Sequence, residues 1–416
     1  MEDFSRMFKA AKAASIKAAQ LSDDLRNEVL NTLADRIVAQ EESLLKANAE
    51  DLARKDKNDP MYDRLALSAS RLEGIAADMK KVATLPSPLG RITDERTMPN
   101  GLYIRRTSVP FGVIGIVCEA RPNVTYDVFS LCFKSGNVCM LKGGKDADAS
   151  NQAAAQLIRD VLSEKGVDPD VFVLLPSSHE AVGAMLSAIG YVDLVIPRGG
   201  RRLIDFVRDN AKVPVIETGA GVVNTYFDKC GDLEKGKAIV NNAKTRRVSV
   251  CNALDCLIVH EDRLCDLYEL CAPMTSHNVV VYADEKAYEV LDGNYPGELL
   301  KHATAETFGT EMLSYSMGLR TVASLDEALE HIREYGSGHS ESIVTEDKAA
   351  AERFRNEVDA ACVYVNAPTS FSDGAQFGLG AEIGISTQKL GARGPMGLEE
   401  ITTYKWLIDG NGQTRP

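Results

Sequence analysis

The sequence predicts an α/β protein: a doubly wound parallel sheet, a second α/β unit following it, and a small β element. Three observations carry this. Short, continuous apolar runs recur from about residue 110 onward, and helical patterns separate them. The chain of 416 residues also exceeds what one ordinary core organises, so two or three domains are expected.

The first ninety or so residues read as helices. Leu25, Val29, Leu33 and Ile37 recur every four positions behind Ser22, a residue suited to capping a helix. A break at "NDP" (58–60) precedes a further helix that ends before "LPSPLG" (85–90). In "GRITDERTMPNGLYIRRTSV" the Asn100-Gly101 pair separates polar, strand-like runs, the pattern of a β-hairpin. The runs "FGVIGIVCEA", "NVCMLKGG", "VFVLLP", "YVDLVIPRGG" and "VPVIETG" read as buried parallel strands, with helical stretches such as "DASNQAAAQLIRDVLSEKG" between them. A second series follows: "DCLIVH", "NVVVYA", "GLRTVAS", "ESIVTED" and "ACVYVNAPTSF". The β-branched and aromatic "LEEITTYKWLIDG" is expected to pair with the hairpin near residue 100 or with a partner subunit. These changes of texture divide the chain into 1–92 with 110–217, 218–395, and a small element made of 93–109 with 396–416.

Composition narrows the function. A formal charge of −13 argues against general nucleic-acid binding, which needs a basic surface, while leaving room for a local basic pocket. Apolar runs such as "GVIGIVC" fall far short of the roughly 20 residues that span a bilayer. "MEDFSRMFKAAKAASIKAAQ" has early acidic residues and no apolar stretch of the secretory kind, so a cytoplasmic protein without membrane partners is expected. Nine cysteines, an odd number with no CxxC pair, argue against a disulfide framework or a zinc site, and no metal is expected.

Four motifs invite chemistry. "LKGGKDAD" is not a phosphate loop, because Asp146 follows Lys145 and Cys139 stands where the first glycine belongs. Lys142 at the end of a buried strand can still meet a ribose hydroxyl or a 2′-phosphate; the alternative is a turn with solvated lysines. "IPRGGRRLIDFV" places Arg198, Gly199 and Gly200 between a strand and a helix, where backbone N–H groups attract anions; the alternative is a solvated helix start. "SGHSE" offers His339, Ser340 and Glu341 for polar recognition, or is an ordinary loop. "TRRVSVCNALDCLIV" sets Cys251 in a small polar turn after Arg246 and Arg247, either as a reactive thiol or as one more small buried residue.

Glu217 at the end of "VIETG", upstream of Cys251, resembles the carboxylate and nucleophilic cysteine of the aldehyde dehydrogenase superfamily. "GNVCMLKGG" and "IPRGGRR" resemble its cofactor elements, and "AETFGTE" its E-x-F-G element, which places Glu306 near the nicotinamide ribose. Within that superfamily "FGVIGIVCEARPNVT", "VCNALDCLIVH", "YGSGHSESIVTED" and "DGAQFGLGAEIGISTQKLGARGPMGLEEITTYKW" resemble the gamma-glutamyl phosphate reductases, over about residues 5 to 410. Two departures stand out: Ile401 replaces a leucine, and Val248 a proline before the cysteine.

The resemblance implies an aldehyde-dehydrogenase-like fold. It has a Rossmann-like cofactor domain, an α/β catalytic domain and a small β oligomerisation element, so a homo-oligomer is expected. It implies NADPH-dependent reduction of L-glutamyl 5-phosphate to L-glutamate 5-semialdehyde and phosphate, through a thioester on Cys251. That is the second step of proline synthesis from glutamate, with functional association with glutamate 5-kinase a further expectation. Lys142, Gly143, Gly144, Arg198, Gly199, Gly200 and Glu306 would hold the cofactor. Arg121, then Arg198 and the N–H groups of "RGG", would take the phosphate, and His339 and Ser340 the amino-acid end. The oxyanion donor falls on Arg121 in a gapless reading and on Asn123 two residues later; Asn123 is the expected donor, with the Cys251 N–H. Cys251 would need a lowered pKa, for which Arg246 and Arg247 are nearby candidates; the alternative is that both are solvated. Glu217 is expected to stay away from the thioester, because activating water there wastes the acyl group. Two alternatives remain: an aldehyde oxidiser whose Glu217 activates water, and a non-catalytic scaffold for the kinase.

Overall fold

Ser22 caps its helix as its chemistry suggests: its Oγ accepts from Leu25 N at 3.2 Å and opens Asp23–Ala39. Val29, Leu33 and Ile37 on that helix are completely buried. The computed structural model describes residues 4–57, 62–119 and 121–415. The expected break at 58–60 lies outside them. Helices Ser5–Ala18, Glu41–Leu52 and Ala69–Thr84 complete the N-terminal layer. Lys134, on helix Pro122–Lys134, is fully buried and ties this layer together by reaching Asp23 and Asn27 at 2.7 and 2.6 Å.

These helices pack on a four-stranded sheet ordered Phe172–Leu175, Val138–Lys142, Val113–Cys118, Leu194–Arg198, every neighbouring pair parallel. One apolar cluster runs from Phe8 through the sheet to Ile401. The run "VPVIETG" forms no strand of its own. It makes one parallel bridge, Val215 to Val195, because Pro214 can accept from Val195 N but has no N–H to continue a ladder.

The second sheet has seven strands, again all parallel. Their order is Leu300–His302, Val280–Ala283, Ser316–Val322, Cys256–His260, Asn224–Phe227, Ser340–Val344, Cys362–Val365. Five of them were legible as apolar runs. Asn224–Phe227 was not, because its first two residues are polar although buried in the sheet, and Leu300–His302 is a short, largely exposed edge.

A third, antiparallel sheet joins Ile92–Thr97, Tyr103–Pro110 and the C-terminal Thr402–Asp409. Gly101 turns the hairpin with φ 85°, which glycine adopts without strain. This sheet leaves Tyr404, Trp406 and Ile408 exposed. No helix among the described residues is long and apolar enough to cross a membrane.

The connectivity positions a site. Lys142 and Arg198 end strands of the first sheet, where open α/β sheets bind ligands. Cys251 precedes strand Cys256–His260 and so lies at the amino ends of the second sheet.

Candidate active site

Cys251 sits in the turn between helix Leu233–Thr245 and strand Cys256–His260, half-buried. The turn is held from behind. Asn252 Nδ2 donates to Ser372 O at 2.9 Å, and Thr369 Oγ1 donates to Asn252 O at 2.9 Å. From the other side the segment after Glu217 passes so close that the Gly221 main chain packs on the Cys251 carbonyl. Cys118, Cys132, Cys139, Cys256, Cys271 and Cys362 are buried, and Cys230 and Cys265 are exposed. Cys251 lies between these extremes, in contact with solvent at the meeting of the two sheets.

The expected low thiol pKa does not hold in this arrangement. Burial pushes the Cys251 thiol up to about 12, and Glu382 and Glu311 add to the rise. Arg198, with the cysteine's own N–H beside its sulfur, opposes them. Arg246 and Arg247 are not among the main influences on the sulfur; Arg247 acts instead on Arg121. Arg121 is exposed, yet the surroundings of its guanidinium lower its pKa, by desolvation first and then by crowding from Arg64, Arg198 and Arg247, with Cys251 acting the other way. Guanidiniums crowded together beside a thiol form a place for an anion.

Several expected residues lie elsewhere or are engaged. Asn123 Nδ2 donates to Asp127 Oδ2 at 3.0 Å, one turn along its helix, so that proton is not offered to an oxyanion. The anion site expected at "RGG" is filled from within: Gly200 N donates to Glu119 Oε2 at 3.0 Å, and the Glu119 side chain packs on Gly199. Gly143 is pressed against Asn151, and Gly144 follows it in the turn to the next helix, so these glycines serve packing first. Lys142 is nearly buried and its pKa is lowered by that burial, against the pull of Cys118 and Asp148. Glu306 is exposed on the one-turn helix Ala305–Phe308.

His339 and Ser340 are corrected most sharply. Both are completely buried, because Ser340 begins a strand inside the seven-stranded sheet rather than lying in an open loop. His339 Nδ1 lies 2.8 Å from Ser340 Oγ, which is bonded in turn to Ser372 Oγ. Burial pushes the imidazole down to about 4, so it is neutral and cannot meet a carboxylate as a cation. Glu341 is buried with them.

Glu217 faces a cavity of about 460 Å³ lined also by Arg201, Arg208, Gly219, Gly309 and Ser337. Its Oε2 is 3.7 Å from Arg208 Nη1. Cys251 and Lys142 are not part of the lining. The cavity offers two cations, three carboxylates (Asp205, Glu217 and Glu334) and backbone at three glycines, a set whose carboxylates suit ribose hydroxyls and whose arginines could meet a phosphate. The E-x-F-G turn contributes to it through Gly309, not Glu306.

Sequence reasoning missed Glu382. Its loop packs on Arg198, since a β-carbon on Gly384 would stand 2.6 Å from Arg198 Nη1. Glu382 Oε2 accepts from Gly374 N at 2.8 Å. Burial, then Asp373, lifts its carboxyl to about 7. The signal was a single carboxylate in the otherwise small and apolar "FGLGAEIGIS". Among the described residues no group of three His, Cys, Asp or Glu side chains could hold a metal ion.

Residues 1–288 match the aldehyde dehydrogenase family. The chain is 61% identical to a gamma-glutamyl phosphate reductase of Bacteroides thetaiotaomicron, covering 98% of each chain. Among solved structures it resembles the gamma-glutamyl phosphate reductase of Thermotoga maritima with a TM-score of 0.95, at 38% identity and 100% of both chains. It shares its fold with an acetylating aldehyde dehydrogenase of Geobacillus thermoglucosidasius, with a TM-score of 0.70 at 15% identity over 100% of this chain and 98% of that one.

Proposed function

The chain belongs to the gamma-glutamyl phosphate reductases within the aldehyde dehydrogenase family, and on that premise we propose how its own residues carry out the reaction. It is an oxidoreductase of the second step of proline synthesis from glutamate. Its substrate is then L-glutamyl 5-phosphate and its product L-glutamate 5-semialdehyde. The single observation that supports the residue assignments best is the buried thiol of the partly exposed Cys251, in the field of Arg198 and beside Arg121.

In this reading Cys251 Sγ, as thiolate, attacks the γ-carbonyl carbon. A C–S bond forms, the bond from that carbon to the phosphate oxygen breaks, and phosphate leaves with its electron pair. Arg121, Arg198 and Arg247 receive it, their mutual repulsion relieved by the dianion. The oxyanion formed on the way meets the Cys251 N–H, whose loss as a donor type typically costs roughly 10²–10³ in rate. When bound, a nicotinamide cofactor supplies the hydride that reduces the thioester. Arg201, Arg208, Glu217 and Gly219 suit its ribose and phosphate, and Lys142 its adenosine end; that lysine favours NADPH. Expulsion of the thiolate then releases the semialdehyde. Glu382, rather than His339 and Ser340, takes the substrate ammonium.

Glu217, paired with Arg208, is not offered to water at the thioester, which favours reduction over hydrolysis. We extend the reading to a cytoplasmic homo-oligomer joined through the exposed Tyr404 and Trp406 sheet, and to functional association with glutamate 5-kinase, whose acyl-phosphate product is labile.

Running the reaction backwards tests the reading. NADP⁺ reduction with the semialdehyde should require phosphate or arsenate and vanish in Cys251→Ala. Turnover without phosphate at the same rate, or retained in Cys251→Ala, would overturn it.

A further inference from the structure

The last turn of helix Leu233–Thr245 carries a lysine that no step above uses. Lys244 is completely buried, and its Nζ donates to Leu254 O at 2.8 Å. Leu254 N in turn donates to Ala243 O at 3.0 Å. These two bonds close the neck of the loop that carries Arg246, Arg247 and Cys251.

The next residue, Asp255, is 3% exposed and gathers the neighbouring loops. Its Oδ2 accepts from Val223 N at 3.2 Å and its Oδ1 from Met312 N at 2.8 Å. Val223 closes the segment that starts at Glu217 and presses Gly221 on the Cys251 carbonyl. Met312 follows Glu311, whose Oε1 accepts from Gly221 N at 3.2 Å. Three segments around the thiol therefore meet on one buried carboxylate, which feels the charge of the lysine at the neck without forming an ion pair with it. We infer that Lys244 and Asp255 are positioning residues: two buried polar groups whose hydrogen bonds to Leu254 O and to Val223 N and Met312 N fix the Cys251 turn against the Gly221 and Glu311 segments, and which act on catalysis only through that placement.

The physical case rests on what an apolar pair could not do. Burial pushes the Lys244 ammonium down and the Asp255 carboxyl up, each restrained by the other. Such a pair is often no more stabilising than apolar side chains filling the same space. Leucine and methionine, however, offer Leu254 O no donor and Val223 and Met312 N no acceptor. The pair thus trades stability for a fixed arrangement of three loops, and misplacement of a nucleophile by about 1 Å can cost on the order of 10²-fold.

The inference rests on Cys251 as nucleophile, so the experiment separates the two. Alkylation of Cys251 by iodoacetamide, located by peptide mass spectrometry, is followed with kcat and the dinucleotide KM in the full-length Lys244→Met and Asp255→Asn variants. Both should fold, alkylate Cys251 at least tenfold more slowly and lose kcat by a similar factor, with the dinucleotide KM within about twofold. The double variant should be at least as slow as the slower single one, because each change removes different hydrogen bonds that hold the same turn. A folded Lys244→Met protein with wild-type alkylation and kcat overturns the inference. Should that variant not fold, Asp255→Asn decides by the same measure; if neither folds, the pair is a folding determinant and the positioning role is lost. Activity retained in Cys251→Ala would instead sink the nucleophile assignment and leave the loop geometry standing.

Discussion

The main chain of Gly221 packs directly on the carbonyl of Cys251, with no room for a β-carbon between them. Gly221→Ala must therefore push the Cys251 turn away or shift its own segment, which is anchored by Glu311 at Gly221 N and by Ser337 at Val222 N. We expect kcat to fall by about 10²-fold while the thermal melt stays cooperative, a misplacement effect rather than unfolding. Steady-state kinetics with a melting curve checks it; activity within threefold of wild type would show that the turn has slack.

Arg198 is expected to set the reactivity of the thiol. Burial raises the Cys251 pKa to about 12 and Arg198 counters it, so removing the cation raises the pKa further. Less thiolate is then present at any pH below that value, and the thiolate is the nucleophile. In Arg198→Met, iodoacetamide labelling of Cys251 should slow by about tenfold for each unit the pKa climbs, and its pH–rate curve should move to higher pH. In the wild type, labelling should keep accelerating above pH 9, where an ordinary thiol levels off. A curve unchanged by Arg198→Met would remove Arg198 from the thiol's environment.

Much of the fold was legible in the sequence, and the reason is local. A capped, four-residue periodicity fixes the Asp23–Ala39 helix, and apolar runs ending in Lys142 and Arg198 fix strand ends, because those features depend on neighbours along the chain. What failed depends on neighbours across it. His339 and Ser340 look like a polar turn until strand Ser340–Val344 is placed inside a seven-stranded sheet. The "RGG" turn looks vacant until Glu119, far upstream in the chain, is found on Gly200 N. Asn123 looks like a free donor until Asp127, one turn on, takes its amide. The Cys251 pKa was misjudged because adjacent arginines in sequence are not the charges nearest the sulfur; burial and Arg198 are.

Glu382 gives a pH prediction. Burial, and then Asp373, lifts its carboxyl to about 7, opposed by Gly374 N and Arg198. Falling pH through that value therefore protonates it and removes the charge that would meet the substrate ammonium. The KM for the semialdehyde should rise as pH drops from 8 to 6, with kcat changing less. A charge-assisted hydrogen bond contributes about 1.5–3 kcal/mol, so Glu382→Gln should raise KM by roughly 10–100-fold and flatten its pH dependence. A variant with normal KM at both pH values would place ammonium recognition elsewhere.

Glu217 provides the test of reduction against hydrolysis. In aldehyde oxidation a carboxylate at this place would draw a proton from water and cleave the thioester; here its Oε2 is 3.7 Å from Arg208 Nη1 in a cavity whose lining leaves out Cys251. Both side chains are partly solvent-exposed, so the pair is a weak restraint, of the order of a surface salt bridge. A weak restraint can be removed without disturbing the fold. Arg208→Met should free the carboxylate and raise phosphate-independent oxidation of the semialdehyde several-fold, and adding Glu217→Gln should cancel that rise. Glu217→Gln alone should form aldehyde from the acyl phosphate within about threefold of wild type. If it abolished aldehyde formation while cofactor affinity stayed normal, the carboxylate would belong to the chemistry after all, and the Arg208 pair would be a resting position that the working enzyme leaves.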